Sequence, residues 1–313
     1  MIRELFEVKR LNRSIFLILP TLSVLAALVM LRGDIPAFWK YLKGEDAYVG
    51  SSIYKVRRLV SNPALLSLIT TDPDYQDFRR PKPDFSFPAN LTLVSKIKDG
   101  ELQAYYHLLK QFRKIKKSYE PSNLDTEDQL VNGIVSLANS YYLSNQLSDR
   151  IIDEGVLGKR KSTAEDYIFY LANAKSACGT VGEATVALLR DAGLNARLMY
   201  LSLKPGKLQA NHIFPEYYSR KQKKWIMVDP LINFLPKSNG VRLSSFELLN
   251  DKHAKIQANK LWNNTATIGG EKTGLYSNKS VIWFDRRGLV RQLFYYTPEK
   301  KNHEIVKQQL SQS

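Results

Sequence analysis

Residues 176–230 hold three features in order: a cysteine opening a helical run (SACGTVGEATVALLRDAGL), a histidine opening a strand-like run (NHIFPEYY) and an aspartate closing the next one (KWIMVDP). Gly193 suits a left-handed cap at the end of the helix. Strand-like runs over 196–203, 212–218 and 225–228 follow, the last two joined by a basic turn. This is the one stretch of the chain where a nucleophile, a base and an orienting carboxylate can be assembled, so it constrains the fold most: a Cys-headed helix packed against a β-ribbon.

A thiol attacks a carbonyl usefully only as the thiolate, and a free value of about 8.5 leaves little of it at neutral pH. The positive end of a helix and a neighbouring imidazolium both lower that value. The sequence offers both, Cys178 at a helix start with Gly179 and Gly182 beside it, and His212 opening a strand. An imidazole also needs its far nitrogen held, and Asp229, on the neighbouring strand of the ribbon, supplies the carboxylate. Taken singly, a cysteine before an apolar helix is more often a small buried hydrophobe, and Asp before Pro usually starts a turn. The joint pattern is what carries the chemistry.

That pattern resembles the transglutaminase-like superfamily, a branch of the papain-like cysteine enzymes. The Cys-headed helix and its exit (Leu188-Leu189-Arg190-Asp191-Ala192-Gly193-Leu194-Asn195-Ala196-Arg197) match the family's Gly-x-x-Ala-Arg-like step. His212, Phe214 and Glu216 match its histidine strand, and Trp225, Asp229 and Pro230 its Trp-x-x-x-Asp-Pro close. The resemblance implies that Cys178 is the nucleophile, His212 the general base and acid, and Asp229 the residue that orients the imidazole. Two departures concern the pocket more than the chemistry. Ser176 stands where a glycine is common, and Phe214 where tryptophan is more usual. An oxyanion hole would need a donor besides the Cys178 N–H, and Asn173, Tyr170 and Asn211 are the candidates.

Composition narrows the classes. The chain has 46 Lys and Arg against 30 Asp and Glu, a net charge of +16. That favours anionic neighbours. The basic residues are spread along the chain, however, and no nucleic-acid motif accompanies them, so a nucleic-acid partner is not expected. A single cysteine forbids an intrachain disulfide, and the 4 histidines have no metal-type spacing, so neither a metal nor another cofactor is expected. Lys204, Lys207, Arg220, Lys221, Lys223 and Lys224 suggest an acidic partner near the site, with a solvated turn as the plainer alternative.

Outside the Cys–Asp stretch, the expected fold class is α+β: an N-terminal transmembrane helix, a helical region, then the transglutaminase-like domain with its helix on an antiparallel sheet. Residues 15–31 carry no charge, and as a helix they would rise about 26 Å, near the hydrocarbon thickness of a bilayer. The segments are then 1–13 (cytoplasmic), 14–32 (signal-anchor), 33–155 (helical), 156–297 (transglutaminase-like) and 298–313 (a loose charged tail). Arg3, Lys9, Arg10 and Arg13 before the span, against Arg32, Lys40 and Lys43 after it, lean towards an extracytoplasmic C-terminal domain. Within the helical region a helix over 43–69 breaks at Asn62-Pro63, and a proline-rich connection fills 71–90. Amphipathic helices cover 98–119 and 126–149. Ser162 and Glu165 form the expected capping box of the next helix. Runs at 281–284 and 289–296 flank Asp-Arg-Arg-Gly as a hairpin.

The expectation is a membrane-anchored thiol enzyme that attacks an amide or ester carbonyl through an acyl-thioester on Cys178, with a protein, peptide or other acyl compound as substrate. The alternative is a non-catalytic scaffold or binding module of a cell-envelope or surface-polysaccharide assembly that uses the same fold.

Overall fold

The computed structural model describes residues 55–75, 97–148, 163–250, 276, 278–286 and 291–312. The chain divides into two units, Met1–Val56 with Arg287–Gln292, and Arg57–Arg286 with Leu293–Ser313. The second holds all the described helices. In chain order the elements are β1 (Lys55–Leu59), α1 (Pro63–Thr71), α2 (Asp99–Lys117), α3 (Asp125–Leu147), α4 (Ala164–Asn173) and α5 (Cys178–Asp191). There follow β2 (Ala196–Ser202), β3 (His212–Ser219), β4 (Lys224–Met227), β5 (Lys237–Ser238), β6 (Val241–Arg242), α6 (Ser245–Asn250), β7 (Val281–Arg286), β8 (Arg291–Tyr296) and α7 (Lys301–Gln312).

A six-stranded sheet runs in the order β1-β8-β7-β2-β3-β4, and β2 is antiparallel to both β3 and β7. Alternation along β2 and β3 puts Arg197 opposite Glu216 and Leu201 opposite His212. On one face of the sheet lies α5, where Gly182 lets the helix backbone come close. A Cβ there would sit 3.2 Å from Leu198 Cδ2 and 3.7 Å from Ile213 Cγ2. The other face holds a buried ion pair. Arg197 Nε and Nη2 donate to Glu216 Oε2 at 2.9 and 2.6 Å, and Nη1 donates to the Ile69 and Tyr75 carbonyls. Trp225 and Phe284 sandwich the guanidinium, with centroids 4.2 and 4.4 Å away. Glu216 Oε1 is filled by the N–H and hydroxyl of Ser245. The arginine and acidic positions of the Cys–His–Asp pattern are therefore a structural clamp, fixing α1 and α6 to the strand that carries His212.

Helix ends follow local chemistry. Asn62 Oδ1 accepts from the Ala64 N–H, and Pro63 occupies the first position of α1, where its missing N–H costs nothing. At the end of α5, Gly193 adopts φ +90°. The Leu194 N–H reaches the Leu189 carbonyl and the Gly193 N–H the Arg190 carbonyl, a Schellman closure that turns the chain straight into β2.

Several expectations are corrected. Among the described residues no helix is long and apolar enough to cross a membrane. The longest, α2 and α3, carry charges such as Glu101, Arg113, Glu127 and Asp128. Among the described residues the fold is accordingly a mixed α/β structure around a six-stranded sheet, and no helix there answers to the expected N-terminal transmembrane helix. The residues on which that helix was expected, 14–32, lie outside those described. Residues 55–59, expected to be helical, form strand β1, because the sheet offers them an edge beside β8. The cap of α4 is one residue later than expected. Thr163 Oγ1 accepts from the Asp166 N–H, and Asp166 Oδ2 accepts from the Thr163 N–H. The tail is not loose: α7 buries Val306 among Val281, Trp283, Leu293 and Tyr295.

Candidate functional site

Cys178 is the first residue of α5, partly exposed, with Ala177 supplying no side-chain cap. His212 opens β3 and Asp229 follows β4; both are almost wholly buried, at 1% and 0% exposure. His212 Nε2 donates to Asp229 Oδ2 at 2.8 Å. That leaves Nδ1 as the ring's other nitrogen, and His212 lies close enough to Cys178 to lower its thiol. The structure therefore brings together all three residues that the sequence singled out.

The electrostatics favour a charged pair. Burial alone would raise the Cys178 thiol. The hydrogen bond and charge of His212 outweigh it, with the Ile213 and Gly179 N–H groups aiding, and the thiol lies below its ordinary value. Burial alone would lower His212, but the charge and hydrogen bond of Asp229, then those of Cys178, push it up to about 10. Both shifts favour the thiolate–imidazolium form of the pair.

One helix ties the parts together. On α3, Asn139 Nδ2 donates to the Pro230 and Leu231 carbonyls at 3.0 Å, holding the turn after Asp229. Gln146 Nε2 donates to the Ser176 carbonyl at 3.0 Å, holding the approach to Cys178. Between them, Tyr142 has its phenol raised by burial and then by the Cys178 and Asp229 charges. Asn139, Tyr142 and Gln146 were not anticipated, although their spacing of three and four is a polar stripe visible in the sequence. Tyr276 was also missed; it donates to Asp229 Oδ2 at 2.6 Å and lies in a stretch with no periodicity.

Of the three oxyanion candidates, Asn173 is spent. Its amide donates to the Glu101 and Phe169 carbonyls. Tyr170 is buried in the core. Asn211 is exposed beside His212, its Oδ1 accepting from the Leu203 N–H. In the basic 204–224 neighbourhood, Arg220 pairs with Glu127, Lys221 with Asp125 and Lys224 with Glu247, so half of the six cations already face carboxylates. Among the described residues, no group of His, Cys, Asp and Glu could hold a metal ion.

Comparison with known proteins adds one family. The profile of the transglutaminase-like superfamily matches residues 129–230. No curated protein matches the chain. A solved structure titled "Crystal structure of Rad4-Rad23 bound to a 6-4 photoproduct UV lesion" is similar over 51% of this chain and 38% of its own. The identity is 16% and the TM-score 0.28, and at that level the likeness carries no argument. The chain spans well under half the length of that match. Residues 129–230, from near the start of α3 to the turn after Asp229, are the part of the chain similar to the transglutaminase-like superfamily.

Proposed function

We propose that the protein is a thiol acyl-transfer enzyme or amide or ester hydrolase working through Cys178. The observation that supports this most is His212, which donates Nε2 to a fully buried Asp229 at 2.8 Å and lies close enough to Cys178 to lower its thiol. In the first step the thiolate attacks the carbonyl carbon of an amide or ester, forming a C–S bond. The tetrahedral oxyanion faces the first-turn N–H groups of α5, which no side chain caps. The imidazolium gives its proton to the departing amine or alcohol as the C–N or C–O bond breaks. An amine or water then attacks the thioester and yields its proton to the imidazole, and the C–S bond breaks. Asp229 keeps the ring in one tautomer and angle throughout. An acyl compound is the substrate that this chemistry requires.

The reading is tested with an activated ester as a generic acyl donor. Incubation with p-nitrophenyl acetate is expected to add one acetyl group, seen by intact mass, on Cys178. An amine such as hydroxylamine should remove it, and Cys178→Ala should take up none. A folded wild-type chain that gains no acetyl group, or gains it equally in Cys178→Ala, would refute the proposal in favour of a non-catalytic module.

A further inference from the structure

Asp229 carries more than the histidine. Its Oδ2 accepts from both His212 Nε2, at 2.8 Å, and the Tyr276 hydroxyl, at 2.6 Å, while Oδ1 accepts from the Leu231 N–H at 3.0 Å. Tyr276 is buried, and its ring packs against three rings of the same site. It meets His212 edge-on at 6.1 Å and Phe214 edge-on at 5.5 Å, and stacks on Phe234 at 6.4 Å. Phe234 is itself tied to Asp229 by a reciprocal pair of backbone hydrogen bonds. A phenol placed only for packing needs no such aim. This one is directed at the very oxygen that the imidazole uses.

A carboxylate oxygen that already receives a strong O–H donor has less charge to offer a second donor. We propose that Tyr276 is a positioning residue of the thiol site, its hydroxyl sharing Asp229 Oδ2 with His212 and so moderating the carboxylate's hold on the imidazole. The proposal rests on the reading of Cys178, His212 and Asp229 given above. Moderation matters because the ring must release its proton to the leaving group. An imidazolium clamped by an unshared buried carboxylate is too weak an acid for that step. The hydroxyl also fixes the plane of the carboxylate, and through it the ring angle seen by the sulfur. The charged or titratable groups facing the ring are Cys178 from α5, Asp229 from the turn after β4, and Tyr276. Tyr142 from α3 senses the Cys178 and Asp229 charges.

The test follows the His212 ring by nitrogen and proton NMR against pH in the full chain, and again in a Cys178→Ala background, where the sulfur has no part. Removing the hydroxyl with Tyr276→Phe leaves the whole carboxylate charge to the ring. The His212 titration is then expected to move up by about half a unit to one unit in both backgrounds. Incorporating 3,5-difluorotyrosine at position 276 makes a stronger donor, and the titration should move down. That second substitution keeps the ring and hydroxyl, so it decides the matter even if Tyr276→Phe does not fold. Shifts of opposite sign establish the role. A His212 titration unmoved by either change, or moved the same way by both, overturns it. A failure of the thiol reading appears separately, as an absent Cys178–His212 coupling in the unaltered chain.

Discussion

With His212 replaced by alanine, Cys178 is expected to react with iodoacetamide at about pH 6 roughly a hundredfold more slowly than in the unaltered chain. The argument is one of populations. A thiol at about 8.5 is ionised to well under one per cent near pH 6, whereas one paired with an imidazolium is largely thiolate there. Burial works against the charged sulfur, and His212 is the largest influence overcoming it. The Ile213 and Gly179 N–H groups remain in the variant, so some lowering by the helix start survives and the loss is less than total. Rates read by intact mass across pH should show the reactive limb moving towards the ordinary thiol value. Equal rates in the two chains would mean that the ring does not ionise the sulfur.

Glu216→Ala is expected to destabilise the fold by about 3–5 kcal/mol, because it strands a guanidinium in the interior. Arg197 is 1% exposed, and two of its N–H groups are aimed at Glu216 Oε2. The Ser245 N–H loses its acceptor as well. Against a typical stability of roughly 5–15 kcal/mol, that is a large fraction. The denaturant midpoint should fall steeply, without a comparable change on replacing Lys221, whose ion pair with Asp125 is exposed. A midpoint unchanged in Glu216→Ala would show that Arg197 finds water or another anion, and that the clamp is not structural.

The sequence made the site legible because its signals are local. Cys178 opens a helix whose far end is marked by Gly193, and a two-strand ribbon then carries His212 and Asp229 within 17 positions of each other. Register does the rest, since β2 and β3 pair residue by residue through Leu201 and His212. What escaped was non-local. Strand β1 exists because β8, far along the chain, offers it an edge, and no periodicity near residue 55 announces that. Helix α7 has few apolar residues, and Val306 reveals its purpose only once β7 and β8 are beneath it. Tyr276 has no pattern around it at all and meets Asp229 from 47 positions away. The expected transmembrane helix rested on hydropathy alone, and no described helix answers to it.

The central claim is an ionised sulfur, and the chain's single cysteine lets it be observed without labels. Thiolate absorbance in the far ultraviolet, taken as the difference between the unaltered chain and Cys178→Ala across pH, belongs to Cys178 alone. The account predicts that the absorbance is already present at about pH 6–7. Absorbance that appears only near the ordinary thiol value of about 8.5 would contradict it.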